Sequence, residues 1–175
     1  EVVNDERLII KDATKETFAS TRNASYVKDN STIVINNLIG ENSYDVGISL
    51  VYTSSQQSGI RGLAHIEGVY QPNTKADAVA VLTKEVIAHE IGHLFGGRHT
   101  FSSHKGSAAY DSEKTELGSG TSVMSYGSPR DFFSLSSIER IRKRLTQVPA
   151  KAQDKTFATQ APRIDRSKLK NHYTI

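Results

Sequence analysis

The stretch His89-Glu90-Ile91-Gly92-His93-Leu94-Phe95-Gly96-Gly97-Arg98-His99 places three imidazoles and one carboxylate close together in the chain. On an α-helix each residue turns by about 100°, so His89 and His93 project from the same face one turn apart. Gly96 has no Cβ and can adopt a positive φ, which ends the helix and allows the chain to bring His99 back. The stretch therefore predicts a three-histidine metal site at the end of a helix.

Three neutral imidazoles leave a fourth position open for water, which is typical of a catalytic rather than a structural zinc. Zinc lowers the pKa of a bound water to about 7, so hydroxide becomes available near neutral pH. Glu90 lies between two histidines, at the edge of their face, where it can act as a general base on that water. A helix with two surface histidines is the alternative, and the third histidine at its fixed spacing disfavours it.

The only methionine of the chain, Met124, lies in a turn-rich segment, residues 118–127 (GSGTSVMSYG). A single methionine most often fills space in a core. At this distance after the histidine motif, however, the segment resembles the Met-turn of metzincin metalloproteases, in which a methionine lies beneath the three histidines. Together the two motifs are similar to those of the metzincin clan.

Other segments resemble bacterial reprolysin-like domains within that clan. They are Thr100-Phe101, residues 131–134 (DFFS), residues 42–47 (NSYDVG) and Gly62-Leu63-Ala64. The resemblance spans roughly residues 35–146 and implies an α/β (α+β) fold of two lobes, with a twisted mixed sheet, an edge strand along the cleft, an active-site helix, the Met-turn and a C-terminal helix. The chain departs from animal reprolysins because it has no cysteine and has Thr100 where they carry aspartate.

The resemblance also implies roles for two further groups of residues. Tyr126 matches a tyrosine that in astacin-, serralysin- and pappalysin-type enzymes approaches the zinc and hydrogen-bonds the oxyanion; packing under the turn is the alternative. Gly62, Leu63 and Ala64 match an edge strand to which an extended substrate adds through main-chain hydrogen bonds; ordinary strand residues without a ligand are the alternative. Residues 127–133 would line the pocket for the residue after the scissile bond.

The 175 residues suffice for one domain with a substantial core, and we predict a catalytic domain at residues 1–149 and a basic extension at residues 150–175. The extension contains six Lys or Arg and two Asp, a surplus that exceeds the net charge of +3 of the whole chain. The basicity therefore belongs to the extension and not to the catalytic domain. We expect a monomer whose partner is a protein or peptide substrate, with no nucleic acid.

Several other features bear on location and cofactors. No apolar run approaches the length of a membrane span and no signal peptide is visible, while the chain opens with Glu1 rather than Met, which indicates processing. The resemblance favours a secreted bacterial protein after propeptide removal, with delivery as a toxin left open. Cysteine is absent, so disulfides are excluded. Residues 102–121 carry acidic oxygens that could hold calcium, but they lack a calcium-loop pattern, so a solvated loop is favoured.

Local patterns predict the remaining elements. Strands are expected at residues 7–10, 46–53, 60–70 and 77–82, and an irregular polar stretch up to Thr32, with no long amphipathic helix in residues 1–35. Thr83 is expected to cap the histidine-bearing helix, whose core-facing stripe would be Ile87, Ile91 and Leu94. The last helix is expected to begin with a capping box of Ser136 and Glu139 and to bury Ile138, Ile141 and Leu145.

The leading hypothesis is a zinc-dependent endopeptidase with ligands His89, His93 and His99. Glu90 would be its general base, Met124 would lie beneath the site, and Tyr126 would assist the oxyanion. Two alternatives come from other classes: a domain that binds zinc without cleaving peptides, and a polyanion- or surface-binding module that acts through the basic extension.

Overall fold

The computed structural model of the chain describes residues 2–10, 14, 16–20, 23–51, 60–103 and 112–148. These residues form a three-stranded mixed sheet and three α-helices, which confirms the predicted α+β class. The strands are β1 (Ser49–Val51), β2 (Gly62–Ala64) and β3 (Ala78–Val81), and the helices are α1 (Ala24–Ile39), α2 (Lys84–Leu94) and α3 (Leu135–Gln147). Two short 3-10 turns lie at Glu6–Leu8 and Glu41–Ser43. The predicted basic extension lies outside the described residues.

The central strand of the sheet is β3, which pairs parallel with β1 and antiparallel with β2. All four of its residues are buried. Val79 packs with Val27 of α1, whereas the next residue, Ala80, packs with Val86 of α2. Because successive strand residues point to opposite faces, the two helices cover both faces of the sheet. This packing fixes α2, the helix that bears the histidine motif, against the centre of the sheet.

Helix α1 corrects the expectation of an irregular stretch and of no long helix near the N-terminus. Asn23 caps it by accepting a hydrogen bond from the backbone N–H of Tyr26 at 3.1 Å, and Gly40, with φ +91°, follows its last residue. Its buried positions include Ser31 and Thr32. A pattern of apolar residues at helical spacing would place such polar residues on the solvent side. The helix was missed because its buried face is partly polar.

Polar groups on the sheet side and a carbonyl of the helix itself satisfy these buried hydroxyls. Thr32 donates its hydroxyl proton to Asp77 Oδ1 at 2.6 Å and accepts the backbone N–H of Ala76 at 3.0 Å. Ser31 donates to the carbonyl of Val27 at 2.9 Å, and its Oγ lies 2.7 Å from Ser49 Oγ. Buried polar groups are tolerated when they are hydrogen-bonded, so α1 can pack on the sheet with few apolar residues.

The strand predictions were partly right. Residues 7–10 are not a strand, because the Asp5 carboxylate accepts the N–H of Arg7 and starts the 3-10 turn there. The 60–70 strand shortens to β2, since Glu67 and Tyr70 adopt positive φ of 65° and 62°. The 77–82 strand is confirmed as β3. The 46–53 strand is confirmed only as β1, and its last two residues lie outside the described part of the chain.

The predicted helix caps were wrong in both cases. Thr83 is the residue before α2, but its buried hydroxyl makes no capping hydrogen bond within the described structure. Ser134, not Ser136, caps α3 by accepting the N–H of Ser137 at 3.3 Å, so the predicted capping box does not form. Each prediction chose a suitable residue type near the helix start, whereas the local backbone path decides which hydroxyl reaches an N–H.

The predicted apolar stripes also differ from the observed burial. In α2, Val86 and Leu94 are buried, whereas Ile87 and Ile91 are only half-buried. In α3 the buried residue is Ser137, and Leu145 is 42% exposed. Among the helices within the described ranges, none has the length and apolar composition needed to cross a membrane.

Candidate metal centre

Helix α2 and the turn after it bring three imidazoles together. His89 and His93 lie one turn apart on α2, and Gly96, with φ +94°, follows the last turn of the helix. The N–H of Gly97 donates to the carbonyl of Gly92 at 2.8 Å, which folds the chain back towards the histidines. The Nε2 atoms of His89 and His93 are 3.1 Å apart, and each lies 3.2 Å from Nε2 of His99.

The backbone fixes the tautomers of two of these rings. Nδ1 of His89 lies 2.7 Å from the carbonyl oxygen of Val123, and Nδ1 of His93 lies 2.7 Å from that of Gly97. A carbonyl oxygen only accepts, so in each ring Nδ1 carries the proton and Nε2 carries a lone pair. Such hydrogen bonds to backbone carbonyls are typical of metal-ligating histidines.

The donor set fits a zinc ion. Two lone pairs that face each other at 3.1 Å repel unless a cation lies between them. Tetrahedral zinc with Zn–N bonds of about 2.0–2.1 Å needs nitrogens about 3.3–3.4 Å apart. The observed separations of 3.1–3.2 Å are close to that value. Within the described residues, no other group of three or more His, Cys, Asp or Glu side chains lies close enough together to hold a metal ion.

Burial keeps the two helix histidines neutral. Loss of solvent lowers the pKa of His93 to about 4, helped by the charge of His99. Loss of solvent likewise moves the pKa of His89 well below its usual value, and the neighbouring His93 adds to the effect. Metal ligation requires neutral imidazole, so neither ring has to lose a proton at neutral pH before it binds a cation.

Glu90 points from α2 towards strand β2. It is buried, and this burial raises the pKa of its carboxyl to about 8 in the metal-free protein. The side chain lies directly on Gly62: a Cβ at position 62 would come within 2.7 Å of Glu90 Cγ and 2.8 Å of Cδ. Only glycine leaves room for the carboxylate at this place, so β2 sets the position of Glu90.

Met124 lies beneath the histidine turn and is fully buried. A Cβ at Gly92 would overlap its sulfur, and a Cβ at Gly97 would lie 3.2 Å from the same atom. The carbonyl of Met124 accepts the N–H of Thr100, the residue after His99, at 3.2 Å. Two glycines thus allow the sulfur to approach the backbone that carries the histidines.

Tyr126 brings a phenol to the same point. Its hydroxyl oxygen lies 3.2 Å from Nε2 of His99, and its ring lies 4.6 Å from the ring of Phe101. Phe101 is buried and stacks on the ring of His99 at 5.0 Å. Burial raises the pKa of Tyr126, and the charge of Glu90 raises it further, so the phenol keeps its proton at neutral pH. The ring packs against its neighbours while its hydroxyl reaches the nitrogen triangle.

The three candidate substrate residues form all of β2. This strand is an edge of the sheet, because the strand order is β1-β3-β2 and β2 pairs with β3 alone among the described strands. Gly62 faces Glu90, so the edge passes beside the carboxylate. The sequence did not indicate that Gly62 limits the position of Glu90, since the two residues are distant in the chain.

A solvated loop was expected at residues 102–121. For Glu113 and Glu116, the two acidic residues of this stretch that the structure describes, that expectation was wrong, because both carboxylates bind other parts of the protein. Glu113 forms an ion pair with Arg140 of α3. The carboxylate of Glu116 accepts the backbone N–H groups of Thr121 and Ser122 at 2.9 and 3.0 Å. No periodicity identifies such a residue, since its partners lie in other segments. His104 and Asp111 of the same stretch lie outside the described residues.

A comparison with protein families agrees with this site. The sequence model of the M12B metallopeptidase family, reprolysin-like, matches residues 3–147. The match covers most of the chain, so this protein belongs to the reprolysin-like M12B metallopeptidases. A comparison with curated proteins found no match. The family and the three-histidine group together indicate a zinc metallopeptidase domain, a hydrolase that acts on proteins.

Zinc should stabilise the folded chain through these ligands. A ligand that binds only the native state at 100 times its Kd adds about 2.7 kcal/mol to the free energy of unfolding. We expect zinc to raise the Tm of the metal-free protein, a chelator to reverse the rise, and His93→Ala to abolish it. Scanning calorimetry with one equivalent or more of zinc measures the effect.

His65→Ala is the matched control, because His65 is an exposed histidine just after β2 and is not part of the nitrogen triangle. It should retain the full zinc-dependent rise in Tm. An equal rise in His93→Ala would place the zinc elsewhere.

Proposed function

We propose that this chain is a zinc endopeptidase that binds one catalytic zinc through His89, His93 and His99 and uses Glu90 as general base. The proposal rests on one observation above all. Three Nε2 atoms lie 3.1–3.2 Å apart, and Glu90, which follows His89 on the same helix, has a buried side chain that lies against Gly62 of the edge strand β2. We further propose that the protein is secreted, as the resemblance implies, and that it is a monomer.

The chemistry divides between the metal and the side chains. When bound, zinc supplies Lewis acidity and lowers the pKa of a coordinated water. Glu90 has the higher proton affinity that a buried carboxylate acquires, which suits a group that accepts a proton from water and passes it to the leaving amine. Its placement against Gly62 keeps this carboxylate at the strand edge rather than in solvent.

The substrate would bind as an additional strand. An edge strand presents unpaired backbone N–H and C=O groups, to which an extended peptide can add by main-chain hydrogen bonds. A peptide on β2 would pass Glu90, because Gly62 lies against that side chain. We propose that Gly62, Leu63 and Ala64 make these contacts, and that residues 127–133 line the pocket beyond the scissile bond. The pairing brings the scissile carbonyl to the histidine triangle.

Tyr126 would donate a hydrogen bond to the oxygen that becomes negative as water attacks the carbonyl. Its phenol keeps its proton because burial raises its pKa, and its hydroxyl lies 3.2 Å from His99 Nε2. Donors aimed at a developing oxyanion contribute strongly to catalysis. The packing of its ring on Phe101 would hold the donor in place before substrate arrives.

The proposed activity is tested with purified, zinc-loaded protein and a diverse peptide library. We expect cleavage that a chelator abolishes, and we expect Glu90→Gln to lower kcat by about 10²–10⁴ while zinc content stays unchanged, because only the proton acceptor is lost. Glu85→Gln in the first turn of α2 is the control and should cleave normally. No cleavage by zinc-loaded wild type would leave a zinc-binding, non-proteolytic domain.

Gly62→Ala should lower kcat by about 10²-fold, because the new methyl group displaces the Glu90 carboxylate and small misplacements of a catalytic group are costly. Zinc content should not change. Glu90→Ala lacks the Cγ and the carboxylate that the new methyl group would meet, so adding Gly62→Ala to it should cost little further activity. Steady-state kinetics of the four proteins test this coupling. Equal losses in both backgrounds would show that Gly62 does not position the carboxylate.

Tyr126→Phe separates the two roles of this residue, since it removes the hydroxyl and keeps the packing ring. If the phenol stabilises the oxyanion, kcat should fall by up to about 10²–10³ with little change in KM or Tm. Tyr26→Phe in α1, far from the histidines in the chain, is the control. An unchanged kcat in Tyr126→Phe would mean that the tyrosine only packs.

A further inference from the structure

We propose that Glu116 is a positioning residue of the metal centre, whose carboxylate ties the residue after His99 to the Met-turn. The inference rests on the proposed function, since it concerns the same zinc site.

Four donors converge on the Glu116 carboxylate. Oε1 accepts the backbone N–H groups of Thr121 at 2.9 Å and of Ser122 at 3.0 Å. Oε2 accepts the hydroxyl of Ser122 at 2.5 Å and the hydroxyl of Thr100. The two hydroxyl oxygens lie 3.2 Å from each other, so Thr100, Ser122 and the carboxylate form one closed cluster.

The donors are adjacent to groups that orient the ligands. Thr100 directly follows His99, and its N–H donates to the carbonyl of Met124 at 3.2 Å. Ser122 directly precedes Val123, whose carbonyl accepts the Nδ1 proton of His89 at 2.7 Å. Glu116 also binds through its backbone, donating its own N–H to the carbonyl of Thr100 at 2.8 Å. One side chain therefore links the backbone behind two of the three histidines.

Burial makes this link hard to replace. Thr100 and Ser122 are fully buried, so solvent cannot supply an acceptor for their hydroxyls if the carboxylate is lost. Burial by itself raises the pKa of Glu116, but the hydrogen bonds from Ser122, Thr100 and the backbone outweigh it, and the net pKa is lowered. The Glu116 carboxylate is therefore an anion at neutral pH. Its hydrogen-bond donors are neutral groups, and the ion pairs within the described residues do not include Glu116.

The consequence concerns metal affinity rather than stability alone. If the link is weakened, the Val123 carbonyl and the His99 backbone can shift, and the three Nε2 atoms no longer hold their separation. Loss of a group that orients a metal ligand typically lowers metal affinity by about 10–100-fold. A merely structural role would lower Tm and leave the zinc Kd of the folded protein unchanged.

The test compares Glu116→Gln with Glu113→Gln. Glutamine keeps the shape of Glu116 and one acceptor for the N–H groups of Thr121 and Ser122, so this variant should fold. Glu113 lies in the same segment, and its carboxylate pairs with Arg140 of α3 rather than with the Met-turn. Zinc Kd is measured by competition with a chromogenic chelator, and the geometry of the site by the visible absorption of the Co²⁺-loaded proteins.

We expect Glu116→Gln to raise the zinc Kd by about tenfold or more and to alter the Co²⁺ spectrum, with Glu113→Gln matching wild type in both. Wild-type zinc affinity and an unchanged Co²⁺ spectrum in Glu116→Gln would overturn the proposal, whatever its Tm. Neither readout requires peptide cleavage. If zinc binding weakens in Glu116→Gln but the wild type cleaves no peptide, the proposed function fails and this inference stands. If the wild type cleaves peptide and Glu116→Gln binds zinc normally, the proposed function stands and this inference fails.

Discussion

The close approach of three imidazole nitrogens, two of them on buried side chains, is the constraint on which the rest of this structure depends. The Nε2 lone pairs of His89 and His93, 3.1 Å apart, repel one another without a cation, so the chain must hold the two rings together. It does so through rigid elements: α2 carries two of the rings, and the carbonyls of Val123 and Gly97 fix their orientation. Packing of α2 on the buried strand β3 gives that arrangement a firm base.

Glycines at the contact points let two side chains near the histidines come close to the backbone. Gly62 allows the Glu90 carboxylate to lie on the edge strand, and Gly92 allows the sulfur of Met124 to lie under the helix. In each case a single methyl group would occupy the space that the other side chain needs. Among the described strands β2 is an edge of the sheet, and it lies against the carboxylate of the residue that follows the first of the three histidines.

A helix could be predicted from the sequence when the residues that define it are neighbours in the chain, and it was missed when its partners lie in distant segments. Helix α2 was correctly expected because its signal is local: histidines four residues apart, then Gly96 at the turn. Helix α1 was missed because Ser31 and Thr32 on its buried face depend on partners in the sheet that no local pattern reveals. In α3, the spacing of the apolar residues predicted that Leu145 would be buried, whereas the structure leaves it exposed.

The sequence by itself determined the three histidines that could bind a metal, their order along the chain and the absence of disulfides, because helical periodicity and residue chemistry are properties of neighbouring residues. Only the tertiary structure decided that the Tyr126 hydroxyl reaches the histidine triangle and that Gly62 limits Glu90. It also decided that Glu116 binds the Met-turn rather than solvent. The physical reason is that these contacts join residues far apart in sequence, so they exist only once the sheet, α2 and the Met-turn have packed together.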